Sequence, residues 1–145
     1  MSDTRKLKNL LLTGRPGVGK TTVVQAVVRL FPGEVGGFLT GAIRERGTRK
    51  GFSITSVEGE SAVMAHVDFW SSVRVGKYGV DVPAFERIAL PGLRDAIQRK
   101  RIVVIDEIGK MELASRKFRE AVREAPVFWQ ICGGDNHAAS ASLRG

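Results

Sequence analysis

Between a short apolar run, Leu10-Leu11-Leu12, and a stretch of helical period, eight residues read Gly14-Arg15-Pro16-Gly17-Val18-Gly19-Lys20-Thr21. The spacing is G-x-x-x-x-G-K-[ST], and it confines this part of the chain to a strand, a loop and a helix in that order. Successive backbone N–H groups of such a loop converge at a helix N-terminus, where negative charge is favoured. Gly14 and Gly19 permit a close approach that a side chain would hinder. Lys20 supplies a point charge, and Thr21 a hydroxyl that a hard cation can use. The ligand implied is a chain of phosphates. The residues expected to bind it are Gly14, Arg15, Pro16, Gly17, Val18, Gly19, Lys20, Thr21 and Thr22, with the Arg15 side chain turned to solvent.

The remaining chain reads as a sheet and helices around that unit. Residues 9–13 form the strand before the loop, and residues 21–30 a helix stopped by Phe31-Pro32-Gly33. Strands are expected at 36–44, 51–56 and 62–67, with turns at 46–50 and 57–60, as an antiparallel meander. Residues 73–80 are punctuated by glycine and read as a loop with some strand character. Asp81 can cap a helix with Pro83 in its first turn, and the pattern to residue 100 is broken near Pro91-Gly92, giving two helices or a kink. The β-branched run 102–105 suits a central strand buried on both faces of a parallel sheet. Ser115 can cap a helix reaching about Glu124, with Phe118 and Val122 on one face. Pro126 ends it, a further strand is expected at 127–131, and the tail 133–145 is expected to be irregular. The 145 residues are read as one domain.

Asp106 ends the apolar run and is the expected holder of Mg²⁺, together with Thr21. Glu107 follows at once. A carboxylate there can orient and polarise water for in-line attack on a γ-phosphorus, so Glu107 and Lys20 are the expected catalytic residues. A further cation near the transferred phosphate is sought among Lys110, Arg44 and Arg46. His66 reads as structural, His137 lies in the tail, and neither has metal-ligand company. Phe69-Trp70 reads as core or cover, with base stacking as the alternative.

The 23 Lys and Arg outnumber the 15 Asp and Glu, for a net charge of +8. Cations gather at Arg44, Arg46, Arg49 and Lys50, at 99–101, and at Arg116, Lys117 and Arg119. These are expected to be solvated faces and the field around a triphosphate site, with nucleic acid as an alternative partner. Two rivals to a hydrolase are therefore kept: a nucleoside or nucleotide kinase, and a nucleic-acid-stimulated ATPase. A single cysteine, Cys132, excludes an intrachain disulfide and a cysteine metal cluster. No run approaches the length of a membrane span, and the polar segment before the first strand is unlike a signal peptide, so a cytoplasmic protein is expected.

These residues, with Gly37-Phe38-Leu39-Thr40, Arg44, Gly51-Phe52, residues 76–82 and above all Val104-Ile105-Asp106-Glu107-Ile108-Gly109-Lys110-Met111-Glu112-Leu113, resemble the nucleoside-triphosphatase family first noted in thermophiles, whose human relative is called cancer-related nucleoside-triphosphatase. The resemblance covers residues 8 to 126. It implies an α/β, three-layer RecA-like P-loop fold with a mostly parallel central sheet and an antiparallel meander extension. It also implies hydrolysis of ATP, GTP and other nucleoside triphosphates to the diphosphate and phosphate, with an added catalytic glutamate. The loop residues, Asp106 and Glu107 take the family's positions, and Lys110 matches one. Two departures stand out. Gly41 and Ala42 follow Thr40, where the family commonly has acids. After about Pro126 the family's further strand and helix are not matched. The expectation is an altered or truncated C-terminus, a less selective base site and self-association through an open sheet edge.

Overall fold

The computed structural model describes residues 20–106, 109–124, 129–131 and 139–141. The expected strand at 9–13, the loop residues 14–19, Glu107, Cys132 and His137 lie outside them. Helix α1, Lys20–Leu30, ends at Phe31-Pro32-Gly33 as its sequence requires. Strands β1, Val35–Glu45, and β2, Thr48–Ser56, then form a long hairpin. Its turn is only Arg46-Gly47, both at positive φ (50° and 77°), the pairing whose twist suits a two-residue hairpin. The turn expected over 46–50 is therefore too long: Thr48 and Arg49 already pair with Glu45 and Arg44.

Strand β3, Ser61–His66, follows. Two short strands, β4 (Arg74–Val75) and β5 (Tyr78–Val80), form a small hairpin within the segment expected mainly as loop. Helix α2, Val82–Arg99, starts as expected, with Asp81 Oδ1 accepting the Ala84 N–H at 3.0 Å. It is not divided at Pro91. Pro91 lies on the exposed face, as does Arg87, whose carbonyl loses its helical partner to the proline ring and is left where water can serve it. The opposite face buries Ile88, Ala89, Leu90, Gly92, Leu93 and Ala96, and that packing carries the helix through.

Strand β6, Ile102–Asp106, leads into a 3₁₀ turn, Glu112–Ala114, and then helix α3, Arg116–Glu124. Ser115 Oγ accepts the Phe118 N–H at 3.0 Å, which is the expected cap. Strands β7 (Trp129–Ile131) and β8 (Ala139–Ala141) pair antiparallel as a separate sheet, and β8 is the described part of the tail.

The main sheet runs β4-β5-β3-β2-β1-β6. Only β1 with β6 is parallel; the other pairings are antiparallel. Among the described residues the sheet is thus mixed rather than mostly parallel, because β1, β2 and β3 are joined by tight turns that allow only antiparallel neighbours. Among the described residues β6 ends the order, with Val104 buried and its neighbours half-buried; the strand expected at 9–13 lies outside them. Helices α2 and α3 cover one face, where the rings of Phe38, Phe85 and Phe118 meet edge-on at centroid distances of 5.2 to 5.8 Å. Ile54, Met64 and Leu93 complete this core. Gly37, at φ 114°, sits where a Cβ would overlap the Val104 carbonyl oxygen, so only glycine lets β1 and β6 close on each other. No helix among the described residues is long and apolar enough to cross a membrane.

Candidate active site

The carboxylate of interest stands at the end of the parallel seam. Asp106 is the last residue of β6, is half-buried, and pairs in register with Leu39 of β1. Helix α1, whose first turn is Lys20-Thr21-Thr22, packs against β6. The helix that begins at the sequence motif and the strand that ends in the acid are therefore neighbours. Glu107, the other member of the acid pair, lies outside the described residues, as do loop residues 14–19.

The chain leaving the acid pair enters a tightly held turn. Glu112, only 6% exposed, accepts the Gly109 N–H on Oε2 at 2.9 Å. The Leu113 N–H donates to the Gly109 carbonyl at 3.1 Å, and the Ala114 N–H to that of Met111 at 3.2 Å. Arg119 Nη1 donates to the Leu113 carbonyl at 2.6 Å. Ser115 Oγ donates to Glu86 Oε1 at 2.7 Å and ties this turn to α2. Sequence reasoning gave Glu112 no role of its own. The available signal was a carboxylate three residues after Gly109, the separation at which a side chain caps a local turn. Lys110 stands exposed on the same turn.

The other candidate cations are not brought to Asp106. Arg44 is five residues beyond Leu39 on β1, about 17 Å at the usual strand rise. Its Nη1 donates to the Gly47 carbonyl at 3.2 Å, within its own hairpin turn. Arg46 lies in that turn. His66 is structural as expected: Nδ1 accepts the Asp68 N–H at 3.1 Å and the ring packs on Phe69. The Phe69-Trp70 pair divides. Phe69 is packed, whereas Trp70 is 99% exposed and is neither core nor cover.

The motif at 14–21 and the acids at 106–107 fall inside one match: a family model described as NTPase spans residues 9–126. The chain belongs to this NTPase family. It is similar to nucleoside-triphosphatase THEP1 of Thermotoga sp. (strain RQ2), 50% identical over 115 residues, covering 79% of this chain and 66% of the relative. The crystal structure of THEP1 from the hyperthermophile Aquifex aeolicus matches with a TM-score of 0.67 at 44% identity, covering 77% of this chain and 65% of that one. The solution structure of a human cancer-related nucleoside triphosphatase gives 0.62 at 39% identity, over 77% and 66%. This NTPase-family chain thus spans 66% of the length of its Thermotoga relative. Its mixed α/β fold is similar to those of both solved relatives. The family match ends at residue 126.

Proposed function

We propose that this NTPase-family chain hydrolyses nucleoside triphosphates of several bases to the diphosphate and phosphate, with Mg²⁺, in the cytoplasm. One observation carries this reading. The motif Gly14 to Thr21 leads into α1, α1 packs on β6, and β6 ends in Asp106 followed by Glu107. The names of the relatives support it.

The donor set suits a hard cation: the carboxylate of Asp106 and, by residue type, the hydroxyl of Thr21. Mg²⁺ takes one or two such oxygens and fills its shell with phosphate oxygens and water. When bound, it would neutralise charge on the β- and γ-phosphates. In this reading Lys20 and the loop N–H groups hold those phosphates. Glu107 orients a water in line with the γ-phosphorus and takes its proton as the P–O bond to the diphosphate breaks. The turn fixed by Glu112 holds the chain that leaves Glu107.

Glu107→Gln should keep nucleotide binding and lower phosphate release roughly 10² to 10⁴-fold. Wild-type turnover in that variant would end the general-base assignment. Release from ATP, GTP, CTP and UTP without any added acceptor separates hydrolysis from a kinase reaction. Release that persists in excess EDTA would remove Mg²⁺ from the scheme.

A further inference from the structure

The β1–β2 hairpin projects beyond the level of Asp106 and carries four cations, Arg44, Arg46, Arg49 and Lys50, against one carboxylate, Glu45. Its register sets Arg44 directly opposite Arg49. Cross-strand partners share a face, so two guanidinium groups are held side by side, an arrangement that weakens a sheet. Glu45 alternates to the other face, 4.0 Å from His66 Nε2. Each of the other two basic clusters holds at least one ion pair: Arg101 with Glu34 and Arg99 with Asp95 in one, Arg116 with Glu120 in the other. Among the described residues none of the four hairpin cations has an ion pair, and Arg49 Nε is buried without a hydrogen-bond partner.

Aromatic rings hold this charge in place. The Arg49 guanidinium lies 5.4 Å from the centroid of Phe52, Phe52 meets Tyr78 edge-on at 5.1 Å, and Lys77 Nζ lies 5.5 Å from the Tyr78 centroid. Phe52, Ala65 and Val80 are one cross-sheet row, so the line from Arg44 to Lys77 runs across β1, β2, β3 and β5 on a single face.

One ring at the same end of the sheet has both faces free. Trp70 is 99% exposed, yet its loop is firmly built. The Phe69 carbonyl accepts from Arg74 Nη1 at 3.3 Å, and Ser71 Oγ donates to the Val80 carbonyl at 2.8 Å while accepting the Val73 N–H at 3.1 Å. The Val67 N–H donates to the Lys50 carbonyl, and three further residues span at most about 11 Å, so Trp70 stands close to the hairpin. Beside it opens a cleft of about 450 Å³, lined in part by Trp70, Asp68 and Asp81.

We propose that this surface binds single-stranded nucleic acid, with Arg44, Arg46, Arg49 and Lys77 on the phosphates and Trp70 stacked on an unpaired base. Sequence-tolerant strand binders combine these two elements, a cationic track and a free aromatic face. The carboxylates of Asp68 and Asp81 would repel a phosphate but can accept from an exocyclic base amine, as a carboxylate does from cytosine N4. The base edge therefore enters the cleft and the backbone follows the hairpin. Bases with an exocyclic amine are preferred to uracil, and a duplex, whose edges are paired, is disfavoured.

The test is fluorescence anisotropy on the full chain with labelled 12-nucleotide oligo(rC), oligo(dC) and oligo(rU), and a 12-base-pair duplex, across a salt series. Oligo(rC) and oligo(dC) should bind more tightly than oligo(rU) and the duplex; comparing the two C-oligomers shows whether the sugar matters. The double variant Arg44→Gln/Arg49→Gln should weaken binding at least tenfold and lower the slope of log K against log salt by about 1.4. Trp70→Ala should weaken it about fivefold or more with the slope unchanged. Lys77→Gln gives an independent loss in a residue remote from the hairpin. No binding by the wild type at 50 mM salt would overturn the proposal. So would equal affinity in the arginine variant, or displacement by heparin combined with no effect of Trp70→Ala.

Discussion

The two ends of the six-stranded sheet assemble their chemistry differently. At the β1–β6 end, parallel pairing sets β6 beside β1, and helix α1, which begins at Lys20, packs on the strand that ends in Asp106. The residues concerned lie in two contiguous strings, 14–22 and 104–113. At the β2–β5 end, antiparallel register does the assembling: Arg44 meets Arg49, and Phe52 meets Tyr78 across the intervening strand. The hairpin cations share one short string, 44–50, but Tyr78 joins Phe52 only through the register. Chemistry at strand ends is local in sequence, whereas chemistry on a sheet face is local only in register.

The seam between β1 and β6 should be the less forgiving of the two, and glycine tests that directly. Gly37→Ala places a Cβ on the Val104 carbonyl oxygen at φ 114°. The backbone angle costs about 1–2 kcal/mol and the overlap adds to it, for roughly 3 kcal/mol or more. In a chain of this size that lowers Tm by roughly 6–12 °C, and turnover should fall with it because Asp106 loses its neighbour. Gly47→Ala, at φ 77° with open space around it, should cost only about 1 kcal/mol and spare turnover. Equal melting temperatures for the two variants would break the comparison.

Asp106→Asn keeps the shape of the seam and removes its charge. Half-maximal phosphate release should then need on the order of 100-fold more Mg²⁺, while anisotropy with oligo(rC) stays at the wild-type value. A loss of strand binding in this variant would show that the two ends are one site.

Legibility follows the same division. The start of α2 at Asp81 and of α3 at Ser115 could be read from single polar residues, because a cap acts over three residues of chain. Thr48, Arg49 and Lys50 look like turn residues by composition, yet a two-residue turn leaves them in the strand. Pro91-Gly92 signals a break that does not occur, because the lost hydrogen bond faces solvent, and whether it does is decided by tertiary packing. Phe69-Trp70 reads as apolar cover, and nothing local says that one ring packs while the other stands clear. At the site, Asp106 was legible as the end of a β-branched run. Glu112 was not, since the burial of a carboxylate depends on how α3 closes over it.

The smallest effect tests whether the turn after the acid pair matters beyond stability. Ser115 Oγ accepts the Phe118 N–H and donates to Glu86 Oε1, and the residue is fully buried. Ser115→Ala removes the cap of α3 and the tie to α2, at a cost of about 1–2 kcal/mol and a Tm lower by a few degrees. Glu86 is only partly buried, so water can take the place of the lost donor. If that tie holds the turn that Glu112 closes, Glu107 is displaced slightly when it is cut. Turnover should then fall by no more than about tenfold with KM unchanged, since small misplacements of a catalytic group cost rate before binding. Glu86→Gln, made alone, keeps an acceptor for Ser115 Oγ and should leave turnover and Tm close to the wild type. A melting shift with wild-type kcat would confine Ser115 to capping, and the rigidity of the turn would then come from Glu112 and Arg119 alone.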